Sequence, residues 1–317
     1  YREAFEKDAC GIGYIVQINN LPSHNIVKDA LKMLHRMEHR GGVAADDQTG
    51  DGAGVTTKIP HTFFEQEAVV NDVSLPEKGS YGVAMSFMPK GDLTKQYDSI
   101  IYDALSDLGL TCFWVRHVKI NSEELGSFAK SNEPVVRQYF IKGNGIEGTD
   151  LNRKLYLFRK LTEYKAKGLR QYKEFYIASS STETIVYKGE LRTWQLDEYY
   201  LDLQKVAYES SFAIVHSRFS TNTLPEWRLA QPFRYIAHNG EINTIKGNIN
   251  KMLSREALFK STHFTKEEID VLLPICQTDF SDSANLDMAV ELLVMGGRSL
   301  DRVMAMLLPP AWRENEE

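Results

Sequence analysis

From about residue 80 to about residue 190 the chain switches repeatedly between two periodicities, and this alternation limits the fold more than any other feature. Runs rich in β-branched and aromatic residues, Tyr81 to Met88, Thr111 to Val118, Val135 to Ile141 and Phe175 to Val186, read as strands. Between them Leu93 to Leu108, Glu123 to Lys130 and Asn152 to Lys167 read as helices. Such alternation defines an α/β or α+β architecture. Ser179-Ser180-Ser181-Thr182 is a polar turn, not a linker, and no repeat or low-complexity tract divides the sequence. One domain with a long insertion is expected.

The flanks add elements of both kinds. Cys10-Gly11-Ile12-Gly13 leads into the strand-like Tyr14-Ile15-Val16. Ser23 caps a helix expected over His24 to His39, with Ile26, Val27, Ala30, Leu31 and Leu34 on one face and Gly41-Gly42 as its stop. In the last third Ser211 to His216 and Arg234 to His238 read as strands, and Ile242 to Leu258, Asp282 to Met295 and Leu300 to Leu307 as helices. The charged end from Arg313 is expected to fray at a domain edge.

Composition excludes several classes. With 317 residues, 43% of them hydrophobic, the chain can bury a core without staples. Its three cysteines, Cys10, Cys112 and Cys276, form no Cys-x-x-Cys or Cys/His ligand spacing. That argues against a disulfide framework and a metal site, and for a reducing cytoplasm. A net charge of −6 without a basic run leaves no footprint for nucleic acid or an anionic membrane. No stretch approaches the ~18 to 20 apolar residues of a membrane helix. Tyr1 to Ala9 lack the apolar core of a secretion signal and read as an ordinary arm or a short pro-segment.

Two loops invite binding readings that their details weaken. Asp47, Thr49, Asp51 and Gly52 match the opening of a calcium loop, but the twelfth position, where a bidentate Glu is needed, is Lys58. Gly143, Gly145 and Gly148 spell a dinucleotide-type pattern between a strand and a helix, yet no second mononucleotide half follows; a plain strand-to-helix turn is the better reading.

Chemistry-bearing groups fall where apolar strands end or helices begin. Cys10, held at the head of a strand by glycines, is either a buried structural thiol or a nucleophile facing a cleft. Arg218, just after His216-Ser217, is either a surface residue or a fork for a carboxylate. Asn239-Gly240 is either a tight turn or a pair of donors, the side-chain amide and a backbone N–H, for an oxyanion. Within Ser281-Asp282-Ser283, Asp282 either helps to cap a helix or receives an ammonium group. Taken together the groups make a site for an amino acid with a side-chain amide: Arg218 for the α-carboxylate, Asp282 for the α-ammonium, Cys10 as attacker, Asn239 and Gly240 for the oxyanion.

The motifs Asp8-Ala9-Cys10-Gly11-Ile12-Gly13, Glu38-His39-Arg40-Gly41-Gly42, Thr49 to Gly54, His216 to Thr223, His238 to Thr244 and Ser281-Asp282-Ser283 occur in order over most of the chain. Together they resemble the class II glutamine amidotransferase domain of the glutamate synthase large chain. The resemblance implies an α+β fold of the N-terminal nucleophile hydrolase type, a four-layer αββα sandwich of two mainly antiparallel sheets. It implies the roles argued above for Cys10, Arg218, Asn239, Gly240 and Asp282, and it places Arg40 near the nucleophile, although an Arg ending a helix also complements the dipole. It implies that the base is the α-amino group of the cysteine, not His216 or His238. An α-amine titrates near 8, close to a thiol, whereas an amide nitrogen is no base.

Here Cys10 follows Ala9 through a peptide bond. Residues 1–9 are therefore expected to be a pro-segment and 10–317 the amidotransferase domain. In the family the ammonia passes through a tunnel to an FMN-bearing synthase domain that acts on 2-oxoglutarate. The chain is expected to stop short of that domain and of the iron–sulfur cysteines, so neither cofactor is expected on it. L-glutamine and the synthase domain are the expected partners, with a small electron-transfer subunit. The competing readings are a non-catalytic glutamine-binding or assembly domain and another class II amidotransferase.

Overall fold

The computed structural model describes residues 11–218, 224–238, 242, 244–277 and 280–309. The strands are β1 (Gly11–Val16), β2 (Ala53–Lys58), β3 (Tyr81–Met88), β4 (Thr111–His117), β5 (Val135–Lys142), β6 (Tyr176–Ser181), β7 (Thr184–Gly189) and β8 (Phe212–Ser217). The helices of residues 1–240 are α1 (His24–His35), α2 (His61–Val70), α3 (Leu93–Asp107), α4 (Ser127–Ser131), α5 (Gly148–Ala166) and α6 (Gln195–Tyr199).

Among the described residues the strands form two four-stranded sheets, ordered β1-β8-β2-β7 and β4-β5-β3-β6, in which every pairing is antiparallel. Helix α1 lies on β1 and β8. Its apolar face, Val27, Ala30, Leu31 and Leu34, is buried, and Ser23 Oγ accepts the Asn25 N–H as its cap. The outer face of the second sheet is covered by α3 and α5, with Tyr97, Ile101, Leu105, Leu151, Leu155 and Phe158 in the seam. This is the αββα order that the family resemblance implies.

The run from Phe175 to Val186 is two strands belonging to different sheets. A polar corner at Thr182-Glu183 joins them, with the Ser181 hydroxyl accepting the Glu183 and Thr184 N–H groups. Burial on both faces hides such a break from periodicity. Residues 38–40 form a 3₁₀ turn after α1, not its continuation, and residues 143–147 are a strand-to-helix turn with Gly145 at φ 99°.

Between the sheets lies a largely buried polar cluster, open to solvent at its Glu67 edge. Arg116 on β4 forks onto Asp202 at 2.7 and 2.7 Å and meets Glu67 at 3.0 Å and Gln138 at 3.0 Å. Gln138 on β5 in turn donates to the hydroxyl of Tyr187 on β7 at 2.8 Å, a bond from one sheet to the other.

Residues 241–317 make a second compact unit. It contains α7 (Ile245–Arg255), α8 (Lys266–Leu272), α9 (Asp282–Met295) and α10 (Leu300–Leu307). Helix α9 is buried from Ser283 to Glu291 and packs on α7 and α10. Asn248 and Thr244 donate side-chain hydrogen bonds to the Leu307 carbonyl at 2.7 and 3.0 Å, satisfying an acceptor at the end of α10.

Candidate active site

The site is organised by β8, which runs between β1 and β2. Cys10 lies outside the described residues, but Gly11, which follows it, is the register partner of Ser217, which precedes Arg218. A Cβ on Gly11 would lie 2.8 Å from Met37 Sδ and 3.2 Å from Arg40 Cβ, and one on Gly13 2.6 Å from Met33 Sδ. Glycine at these two positions lets α1 and the 3₁₀ turn lie directly on β1. Arg40 is thereby brought beside the residue after Cys10. The turn is anchored by Glu38, which accepts from Arg192 Nε at 2.5 Å, from the Thr193 N–H at 3.2 Å and from the Thr193 hydroxyl.

Arg218 is 5% exposed. Its N–H donates to the Gly52 carbonyl at 2.9 Å and its Nη1 to the Asp51 carbonyl at 3.3 Å. The acidic, glycine-rich loop thus supports the arginine through main-chain oxygens. Asp46 shapes that loop: it accepts the Thr49 N–H and hydroxyl, both at 2.7 Å, and bonds from Gln48, Ser127 and Phe128. Partial burial disfavours its charge, but these bonds outweigh it and hold the carboxyl below the usual carboxylate range.

Glu190, directly after β7, is 4% exposed. Burial pushes its carboxyl up to about 8, opposed by a bond from the Trp227 N–H, aided by Glu226 and opposed again by the nearby Arg218 charge. A carboxyl kept protonated does not compete as a carboxylate for Arg218. The unfolded chain gives up this proton above a pH of about 4.3, whereas the folded chain keeps it until about 8. Stability is therefore lost as pH rises through that window and levels off above it. Glu190→Gln is expected to gain on the parent protein between pH 5 and pH 8, by on the order of a few kcal/mol at the upper end, in denaturant titrations. A difference that does not vary with pH would show that Glu190 is ionised when folded.

His216 is fully buried, and its Nε2 lies 2.8 Å from the His238 carbonyl oxygen. The His238 N–H donates to Gln231 Oε1 at 3.2 Å. Asn239 and Gly240 lie outside the described residues. The strand expected over 234–238 is not one: Phe233 N–H closes a local turn onto the Ile236 carbonyl at 2.9 Å, so the segment does not join a ladder.

Asp282 opens α9 in the second unit. Ser281 is the N-cap there, accepting the Ala284 N–H at 3.2 Å, and Asp282 Oδ1 accepts the Ser283 N–H at 2.6 Å and its hydroxyl at 3.1 Å. Ser281 supplies the cap of this motif, and a carboxylate at a helix N-terminus is well placed electrostatically.

The first unit therefore gathers Arg40, His216, Arg218, the residue after Cys10 and the residue before Asn239. Sequence reasoning did not single out Gln231, Glu190 or the carbonyls of Asp51 and Gly52. Main-chain groups leave no side-chain signal, and a lone Gln or Glu carries none of its own. Among the described residues no group of three or more His, Cys, Asp or Glu could hold a metal ion, and no helix is long and apolar enough to cross a membrane.

An α+β sandwich whose outer strand begins beside a cysteine, with a buried arginine next to that start, defines a class. The chain belongs to the class-II glutamine amidotransferases, whose sequence pattern matches residues 10–317. Within that class it is similar to glutamate synthases. It is 45% identical over 318 residues to the glutamate synthase (NADPH) large chain of Bacillus subtilis, across 99% of this chain and 21% of that one. It is 45% identical over 314 residues to the ferredoxin-dependent glutamate synthase of Pyropia yezoensis and 43% identical over 310 to ferredoxin-dependent glutamate synthase 2 of Synechocystis, across 98% and 97% of this chain and 20% of each relative. The chain thus spans about a fifth of the length of these relatives.

Proposed function

We propose that this domain releases ammonia from L-glutamine for a glutamate synthase. The observation that carries the reading is the register of β1 on β8, which pairs the residue after Cys10 with the residue before Arg218. Arg218 holds the α-carboxylate of glutamine with parallel hydrogen bonds, and Arg40 lines the site beside the nucleophile; the α-ammonium is the role that the family resemblance implies for Asp282, which opens α9 in the second unit. The Cys10 sulfur attacks the amide carbon while the Asn239 amide and the Gly240 N–H bind the developing oxyanion. Collapse breaks the C–N bond, and the proton taken from the thiol leaves with the nitrogen as ammonia. Water then cleaves the thioester, giving L-glutamate and restoring the thiol.

The base is the α-amine of Cys10, freed when the Ala9–Cys10 bond is cut. That makes residues 1–9 a pro-segment and 10–317 the working domain, a boundary supported by the family match opening on residue 10. Active protein is expected to have the mass of a chain beginning at Cys10 and to be labelled there by a glutamine-mimicking electrophile. An active preparation that still carries Tyr1 would refute the processing step.

The ammonia is consumed on 2-oxoglutarate by a flavin-bearing synthase domain of the same polypeptide, in the cytoplasm, with a small electron-transfer subunit as further partner. FMN and an iron–sulfur cluster belong to that remainder. A cluster takes about four thiolates. With Cys10 as the nucleophile only Cys112 and Cys276 remain, too few for a cluster.

A further inference from the structure

The second unit holds a groove that the chemistry proposed above leaves unused. It lies among α7, the loop that follows it, α8 and the C-terminal ends of α9 and α10, with a volume of about 740 Å³. Its floor is apolar: Met252, Phe264, Leu272 and Leu307 are buried there. Two further apolar side chains on its wall, Leu258 and Met306, are 74% and 48% exposed. Amphipathic helices turn such residues inward, and exposed ones gathered around a concavity mark a contact surface.

The charged part of the lining has one sign. Lys251, Arg255, Lys260 and Arg298 line the groove, all of them exposed, and no Asp or Glu does. Among the described residues none of the four forms an ion pair or a side-chain hydrogen bond. Nearby carboxylates are engaged with main-chain N–H groups: Glu256 accepts from Ile275 at 2.9 Å, and Glu268 accepts from Thr265 at 2.9 Å in the capping box of α8. The cluster contrasts with a chain whose net charge is −6. Four such cations around an apolar floor are complementary to a segment that carries apolar anchors flanked by carboxylates. A bilayer surface is flat and does not enter a groove between helices, whereas a polypeptide segment does.

The chain spans about a fifth of the length of its relatives, so most of a polypeptide of that length lies outside it. A remainder tethered to the domain by a short linker has an effective concentration on the order of millimolar, and a modest contact then suffices. We propose that the groove is a docking face for an acidic, apolar-anchored segment of the same polypeptide, outside residues 1–317, which holds the remainder against the second unit. This rests on the reading that the chain is one part of a synthase polypeptide.

The test is cross-linking of the natural full-length polypeptide with a water-soluble carbodiimide, which joins a lysine amine to a carboxylate touching it as an amide. Unlabelled and ¹⁵N-labelled protein are mixed in equal amounts, so that mass separates links within one molecule from links between two. Lys251 and Lys260 are expected to join Asp or Glu residues outside 1–317, within one molecule. Arg255→Glu with Arg298→Glu, and Leu258→Ser with Met306→Ser, are each expected to lower both yields by about tenfold. Lys266→Glu, exposed on α8 outside the groove, is expected to leave them unchanged. Should one pair of changes prevent folding, as read by thermal unfolding, the other pair decides. Links confined to Glu314, Glu316 and Glu317, links between labelled and unlabelled molecules, no link at either lysine, or unchanged yields in the paired variants would overturn the proposal. A natural polypeptide ending at residue 317 would bring down the synthase reading and this proposal with it; a longer one without the links brings down the proposal alone. Glutamine hydrolysis is read on the same sample, and links without hydrolysis uphold the docking face while refuting the proposed activity.

Discussion

Cys10→Ala is expected to abolish ammonia release from glutamine while leaving the melting temperature and the affinity for glutamine close to those of the parent. Removing the nucleophile from a set of groups that act together costs on the order of 10⁵- to 10⁶-fold, far more than loss of any single supporting contact. In the proposed reading the carboxylate fork of Arg218 is untouched by this change, so binding and turnover separate. Ammonia release and equilibrium binding measured on one preparation check this. Unchanged turnover would remove Cys10 from the mechanism, and absence of turnover in the correctly processed parent would favour a binding domain over an enzyme.

The second large effect concerns stability. Arg116→Met is expected to cost about 3 to 5 kcal/mol, because it leaves Asp202 and Glu67 facing each other without their shared cation. Asp202 is 1% exposed and cannot turn to water. Its remaining bond from the Tyr187 hydroxyl, at 2.9 Å, does not replace a guanidinium fork. In a chain of this size the loss corresponds to a fall in Tm on the order of 10 °C. Thermal unfolding followed by near-UV circular dichroism reads it, and Lys119→Met, which removes an exposed partner of Glu67, should shift Tm far less. Equal shifts would mean that the buried fork contributes no more than a surface pair.

Much of this fold was legible because its elements carry clean signals. β3 and helices α9 and α10 fall on the residues that their apolar patterns pick out. The join between β6 and β7 was not legible, since both strands are buried on both faces and the change of sheet is a tertiary event. The segment 234–238 misled for a related reason: Tyr235 and Ile236 have strand-like character, but the main chain here closes on itself and borrows side chains from elsewhere. Of the candidate site, the positions of Arg218 and Arg40 follow from strand register and glycine contacts. The support of His238 by His216 and Gln231 joins residues remote in sequence, and only the folded chain brings them together.

β1 and β8, neighbours in the sheet, are separated by nearly the whole of the first unit. Pairing of such distant segments closes late, after local contacts have formed. A chain still emerging from the ribosome holds Cys10 long before it holds the strand that completes the cysteine's surroundings. Any cleavage at Ala9–Cys10 that needs the assembled site must then wait for folding to finish. If the proposed cleavage has that requirement, completion of the β1–β8 pairing sets when a reactive amino-terminal thiol first exists.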